Sequence, residues 1–143
     1  MENDALELDF EVDGNDYQRA GEASSRVKTT LKEVGMPAEL IKRVAIAMYE
    51  GEINMVIHAD SGVAKVFIKP DGVEVVLKDV GKGIPDVEKA MQEGFSTASD
   101  DAIELGFGAG MGLPNMKKHS DEMVIDTEVG VGTTVTMKFF TKE

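Results

Sequence analysis

Glu50 and Asn54 are four residues apart in a segment with helical periodicity, so their side chains should share one helix face. His58, four residues further on, continues that face. A carboxylate can orient or deprotonate a nucleophile, and an amide oxygen is a ligand that Mg²⁺ accepts. These three side chains could therefore form one polar side of a catalytic site. An ordinary solvated helix face fits them too, and for this motif alone it is the more common outcome.

Asp79 directly follows a segment with strand periodicity and is itself followed by Gly81 and Gly83. A carboxylate at a strand end can accept a hydrogen bond from an amino group such as adenine N6. The two glycines would let the backbone pass closely over a flat ring. A loop that only connects a strand to a helix is an equally good interpretation of this motif alone.

Four alternating glycines, at positions 106, 108, 110 and 112, precede a segment that should begin a helix. Successive backbone N–H groups and a helix N-terminus can bind an anion without any basic side chain. A dinucleotide-binding loop would have to follow a strand, whereas this run follows a polar segment. A P-loop is excluded because Gly-Lys-Ser/Thr does not occur. A flexible hinge remains the alternative, and Gly132-Thr133-Thr134, considered alone, indicates only a turn before a strand.

The elements that must position these residues follow from hydrophobic periodicity and from capping residues. They are, in order, a strand at 6–12, helices from Asp16 to Val34 (ended by Gly35) and from Pro37 to about His58, strands at 63–69 and 73–78, a short helix at 86–93, a polar loop at 95–105, a helix from Pro114 to about Ser120, and strands at 122–128 and 133–140. This order predicts an α/β (α+β) two-layer sandwich, in which a mixed, largely antiparallel sheet has helices on one face.

The composition sets further limits. The chain has 143 residues, with 15 Lys and Arg against 27 Asp and Glu, which gives a net charge of −12 and the size of one domain. This charge argues against nucleic acid as a partner, although seven of the acids lie in residues 1–18. The absence of cysteine excludes disulfides, zinc–thiolate sites and thiol catalysis. The absence of cysteine also makes a reducing cytoplasm the expected setting. No segment resembles a signal peptide or a membrane span.

In their order and spacing, the four motifs resemble those of the GHKL ATPase/kinase superfamily, which has the Bergerat fold. Within it, the chain is most similar to the anti-sigma-factor serine kinases and the stressosome switch kinases. The resemblance runs from about residue 23 to residue 138 and includes Glu93-Gly-Phe-Ser-Thr97 and Ser120-Asp-Glu122. It implies one histidine-kinase-like ATPase domain over residues 1–143, with ATP and Mg²⁺ as cofactors and an ATP lid with a glycine-rich loop at 93–112.

The resemblance also implies a role for individual residues. Glu50 would be the general base that activates the attacking hydroxyl, and Asn54 would coordinate Mg²⁺. Asp79 would bind the adenine amino group, and Thr133 would support the adenine. The other residues implied in nucleotide binding are Gly81, Gly83, Ile84, Thr97, Gly108, Gly110, Met111, Gly112 and Leu113.

Two features depart from the family pattern. Glu52 lies two residues after Glu50, so the assignment of the base rests on the four-residue spacing to Asn54. The glycine run is also longer than in the anti-sigma kinases, because Gly106 and Gly108 precede the matching Gly110-Met-Gly112. The phosphate contact of each glycine is therefore open.

The implied function is an ATP- and Mg²⁺-dependent serine kinase that phosphorylates a STAS-type anti-anti-sigma protein. The implied assembly is a homodimer with contact to a sigma factor, and without nucleic acid or membrane. The alternative is an ATP-binding partner-switching module with little or no phosphoryl transfer. A sensor histidine kinase fragment ranks low, because neither His58 nor His119 lies in a phosphoacceptor context.

Overall fold

The computed structural model describes residues 6–14, 16, 18–84, 87, 91 and 112–141. Within them the chain forms one sheet and a layer of helices. The elements are β1 (Leu6–Asp13), α1 (Glu22–Glu33), α2 (Ala38–His58), β2 (Ala59–Lys69), β3 (Gly72–Gly81), α3 (Gly112–His119), β4 (Glu122–Glu128) and β5 (Gly132–Phe140). The predicted α+β sandwich is confirmed. The predicted helix at 86–93, apart from residues 87 and 91, and the predicted loop at 95–105 lie outside the described residues.

The strands form one five-stranded sheet in the order β1-β2-β3-β5-β4, and each of the four described strand pairs is antiparallel. The predicted largely antiparallel sheet is thus correct, and no parallel pair occurs among the described strands. The connections between β2 and β3 and between β4 and β5 are tight turns, which can only join antiparallel neighbours.

The register explains why one sheet face is covered by helices. Rows of apolar side chains cross all five strands because antiparallel partners point to the same face. One such row contains Leu8, Val66, Val75, Met137 and Met123. Helix α2 packs on this face against β1, β2, β3 and β5, with α1 and α3 beside it. The central helix is therefore apolar on most of its circumference, and its buried side chains include Leu40, Val44, Ala47, Met48 and Val56.

The first helix begins later than predicted, at Glu22 and not at Asp16. Gly21 before it has a left-handed backbone, with φ of 93°. The predicted stop at Gly35 is correct: its φ is 83°, and the following N–H of Met36 donates to the carbonyl of Leu31 at 3.0 Å. The long helix begins at Ala38, one residue after its predicted start at Pro37.

The strand limits differ from the prediction in a way that affects the site. β2 begins at Ala59, immediately after α2, and β3 continues to Gly81. Asp79 therefore lies inside a strand, paired with Gly62 of β2, and not in the loop that follows one. Likewise α3 begins at Gly112, two residues before Pro114. Among the described residues, the structure has no helix that is both long enough and apolar enough to cross a membrane.

Candidate functional site

The predicted catalytic pair lies where α3 crosses α2. The side-chain amide of Asn115 on α3 donates to Oε2 of Glu50 at 2.7 Å. One turn further along α2, Nδ2 of Asn54 lies 3.9 Å from the sulfur of Met116. The Asn54 side chain also lies beneath the first residue of α3, because a Cβ on Gly112 would be 2.9 Å from both Oδ1 and Nδ2. The structure therefore brings Glu50, Asn54 and Gly112 together.

A glycine allows the two helices to approach this closely. A Cβ on Gly51 would collide with the side chain of Leu77 and would lie 3.1 Å from the terminal methyl of Met116. Met116 is fully buried in the resulting notch. Its neighbour Asn115 is thereby placed opposite Glu50, the residue next to Gly51. A side chain at position 51 would first displace Leu77 of β3 and would also press on Met116 of α3.

The second acid of the motif has a different environment. Glu52 is only 2% exposed, and its carboxylate accepts the backbone N–H groups of Gly21, Ala23 and Ser24 at 3.0–3.2 Å. These are the donors that the first turn of α1 leaves without a helical partner. The negative charge also lies at the positive end of that helix. Glu52 therefore joins α2 to α1, and only Glu50 of the two acids contacts α3.

Asp79 and Thr133 form a second group at the end of the sheet. Oδ1 of Asp79 accepts the backbone N–H of Thr133 at 3.0 Å. The hydroxyl of Thr133 lies 2.8 Å from that of Thr127, whose oxygen accepts the N–H of Ile84 at 2.9 Å. The predicted adenine-binding residues Asp79, Ile84 and Thr133 are thus connected by one chain of hydrogen bonds, which runs through a residue the sequence did not single out.

Burial raises the pKa of Asp79 above its ordinary value of 3.8, and the N–H of Thr133 partly offsets this effect. The carboxylate is half-buried and has one oxygen engaged by the backbone. Among the described residues, no hydrogen-bond donor faces its other oxygen. An amino group of a ligand would find an acceptor there.

The glycines near Asp79 are needed for close backbone packing. Gly83 has a φ of 75°, and a Cβ on it would lie 2.6 Å from the carbonyl oxygen of Glu128. A Cβ on Gly81 would lie 3.1 Å from the Cα of Ala59. A Cβ on Gly62 would meet both the sulfur of Met55 and, at 3.5 Å, the Cβ of Asp79. Asp79 therefore lies beside α2, next to the residue that follows Asn54.

Of the remaining predicted site residues, the structure describes only Leu113. Leu113 is 9% exposed and belongs to the hydrophobic core, so only its backbone is available to a ligand. Thr97, Gly108, Gly110 and Met111 lie outside the described residues. His58 ends α2, where partial burial of its ring, aided by the charge of Lys82, lowers the imidazole pKa below 6.5.

Comparison with known proteins identifies the family to which this chain belongs. Residues 15–139 match the family model described as the histidine kinase-like ATPase domain. The chain belongs to this family. It is 30% identical over 112 residues to the serine/threonine-protein kinase RsbT of Bacillus subtilis, with 76% of this chain and 78% of RsbT covered. It is 35% identical over 104 residues to the anti-sigma F factor of Caldanaerobacter subterraneus, with 69% of each chain covered. The anti-sigma F factor of Thermoanaerobacter species is 34% identical over the same length.

Membership of the histidine kinase-like ATPase family makes this chain an ATP-binding domain, and the residues present fit such a ligand. Asn54 provides an amide oxygen, a hard donor of the kind that suits Mg²⁺ bound to phosphates, and Glu50 places a carboxylate one helical turn away. Gly112, which has no side chain, lies directly against the Asn54 amide, where a Cβ would be 2.9 Å from Oδ1. In the described part of the chain, no cluster of three or more His, Asp or Glu side chains could hold a metal ion alone.

Sequence reasoning missed two residues that build this ATPase-family site, Asn115 and Thr127. Each contacts a residue distant in sequence, so no local motif marks it. The sequence marks Glu52 only as a second acid beside Glu50 and does not predict its contact with α1. Only Asn115 could have been identified from the sequence. It follows Gly112 by three residues in a helix, so the two residues share a helix face. The contact of Thr127 with Thr133 depends on the pairing of β4 with β5, which the sequence alone does not give.

Proposed function

We propose that this protein is an ATP- and Mg²⁺-dependent protein serine/threonine kinase. The observation that carries the proposal is the placement of the Glu50 carboxylate and the Asn54 amide at the first turn of α3, beside Gly112. The similarity of this chain to the serine/threonine-protein kinase RsbT, which extends over most of both chains, supports the same activity.

In the proposed mechanism, Asp79 and Thr133 hold the adenine end of the nucleotide, with Gly81, Gly83 and Ile84 shaping the base pocket. The backbone of Gly112, with Gly108 and Gly110, binds the phosphates. Asn54 holds Mg²⁺, which when bound neutralises phosphate charge. Glu50 accepts the proton of the attacking hydroxyl. The hydroxyl oxygen forms a bond to the γ-phosphorus, the bond from that phosphorus to the β-phosphate oxygen breaks, and ADP leaves.

We further propose that the acceptor is a serine of a small STAS-type anti-anti-sigma protein, and that a sigma factor is the competing partner. The anti-sigma F factors among the relatives support this proposal, because their name denotes action on a sigma factor. The proposal includes a homodimer in the cytoplasm, one ATPase domain over residues 1–143, and a segment at 93–112 that closes over ATP with Thr97.

The second candidate function is a nucleotide-dependent binding module with little or no phosphoryl transfer. It is supported by the fact that these relatives are named for inhibition of a partner and not for catalysis. In such a module Asp79 would be essential and Glu50 dispensable, since only the former would contact the nucleotide base.

The test is incubation of the purified chain with γ-labelled ATP, Mg²⁺ and candidate STAS proteins. We expect label on a serine of one acceptor, transfer by Glu50→Gln that is slower by about a hundredfold or more, and retained ATP binding by that variant. Transfer by Glu50→Gln at the wild-type rate would contradict the role of the base. Nucleotide-dependent binding of an acceptor without transfer, lost in Asp79→Asn but kept in Glu50→Gln, would favour the second candidate.

A further inference from the structure

We propose that Asn115 is a positioning residue that orients the Glu50 carboxylate for proton abstraction. The inference rests on the proposed kinase function and adds a residue to it. Asn115 is half-buried on α3, and its amide contacts a carboxylate on a different helix, 65 residues away in sequence.

The chemistry of the two side chains fixes the direction of the hydrogen bond. An ionised carboxylate can only accept, so the amide nitrogen of Asn115 must face Oε2 of Glu50. At 2.7 Å the bond is short, as is typical of a hydrogen bond to a charged acceptor. One oxygen of Glu50 is thereby held, and the other is oriented for a substrate hydroxyl. A free glutamate would sample several rotamers and would point at a hydroxyl for only part of the time.

The helix that carries Asn115 is itself fixed at both ends. At its start, Gly112 lies against the Asn54 amide, and midway along it Met116 occupies the notch left by Gly51. At its end, Nη1 of Arg43 donates to the carbonyl of His119 at 3.3 Å and to Asp121 at 3.1 Å. The Arg43 side chain is only 14% exposed and also donates to the carbonyl of Phe140. Asn115 therefore approaches Glu50 from a rigid support, as a preorganised catalytic site requires.

The same helix begins at Gly112, which covers Asn54. The base and the residue proposed to hold Mg²⁺ are thus both placed by the first turn of α3. A shift of α3 along α2 would move Asn115, which contacts Glu50, and Gly112, which contacts Asn54, at the same time. Asn115 itself donates to Glu50, the proposed base, and not to Asn54. We therefore expect substitution of Asn115 to affect the rate of transfer more than the affinity for nucleotide.

The first experiment measures kcat and KM for ATP in Asn115→Leu, which has a similar volume and no donor. We expect a kcat lower by about tenfold with KM for ATP within about twofold of wild type. Asn115→Asp should lose more, because it places a second carboxylate against Glu50. Asn115→Gln retains the amide and should recover part of the rate. Lys117→Leu, an exposed change on the same helix, is the matched control and should behave as wild type.

A double-mutant cycle separates positioning from a merely structural role. In a Glu50→Gln background, Asn115→Leu should change the residual rate by less than about twofold, because the group it orients is gone. An equal loss in both backgrounds, or a raised KM for ATP with unchanged kcat, would overturn the inference. Absence of transfer by wild type would overturn the proposed function itself, whereas wild-type transfer with an unaffected Asn115→Leu would overturn the inference alone.

A measurement independent of activity checks the contact. In a ¹⁵N-labelled sample, the side-chain amide signal of Asn115 is identified by its loss in Asn115→Leu. One of its protons should resonate downfield in wild type and move upfield in Glu50→Gln, where the charged acceptor is removed. An amide signal that does not respond to Glu50→Gln would show that the hydrogen bond is not formed in solution and would overturn the proposal.

Discussion

The carboxylate of Asp79 accepts the backbone N–H of Thr133 where the ladder between β3 and β5 ends. The last pair of that ladder is Lys78 with Thr134, so a side chain satisfies the next N–H along β5. This arrangement holds the proposed adenine-binding carboxylate in place while leaving it half-buried.

The stability of the protein should depend on the ionisation of Asp79. Its pKa in the folded state is raised above 3.8, so the charged form is disfavoured by folding. The resulting loss of stability is absent below the unfolded pKa, grows as pH rises, and is complete above the folded pKa. Asp79→Asn should therefore melt at a higher temperature than wild type at pH 7, and this advantage should shrink towards pH 3. Calorimetry at both values measures it, and an advantage independent of pH would contradict the assignment.

The same substitution should impair nucleotide binding. The amide of Asp79→Asn can still accept the N–H of Thr133, but its NH₂ group would then face the amino group of adenine. Two donors cannot pair, so the Kd for ATP should rise by about tenfold to a hundredfold, which corresponds to about 1.4–2.8 kcal/mol. Titration calorimetry with Mg²⁺-ATP measures this. A variant that is more stable yet binds ATP as well as wild type would place the adenine elsewhere.

Thr127→Val should destabilise the fold although the two side chains have nearly the same shape. The substitution removes the acceptor of the Ile84 N–H and the partner of the Thr133 hydroxyl. Leaving these groups without partners should lower the free energy of unfolding by about 1–3 kcal/mol. Urea denaturation measures the change. Thr136→Val, on the sheet face away from the helices, is the control, and an equal effect of both would show that the network contributes nothing.

Two glycine substitutions should impair different properties, one the affinity for ATP and the other the stability of the fold. Gly112→Ala places a methyl group against the Asn54 amide, so ATP affinity in the presence of Mg²⁺ should fall by about tenfold with little loss of stability. Gly51→Ala instead meets Leu77 and Met116 in the core and should lower the free energy of unfolding by about 1–3 kcal/mol. Each variant is assayed for Kd and for urea midpoint. Similar profiles for both would argue against the distinct roles of the two positions.

Glu52→Gln should weaken α1. The glutamine amide would turn a donor towards the N–H groups of Gly21, Ala23 and Ser24, at least one of which loses its acceptor. We expect a loss of about 1–3 kcal/mol in the free energy of unfolding. Glu33→Gln, an exposed acid at the other end of α1, is the control and should stay within about 0.5 kcal/mol of wild type.

Local patterns in the sequence predict most elements, because helix stops, turns and strand alternation depend on neighbouring residues. Gly35 and the alternation in β4 are examples. The predicted start of α1 is wrong because the acceptor for its first N–H groups, Glu52, lies on another helix. Asn115 and Thr127 were missed for the same reason, since their partners are 65 and 43 residues away. Local propensity can be read from the sequence, whereas contacts between residues distant in sequence cannot.

The position of Glu52 has a consequence for the order of folding. During synthesis α1 leaves the ribosome before α2, yet its first turn lacks its acceptor until a residue 28–31 positions later arrives. An isolated helix of 12 residues is marginal in water. We therefore expect α1 to become stable only after α2 has docked, so that its capping forms late and governs the unfolding rate more than the folding rate.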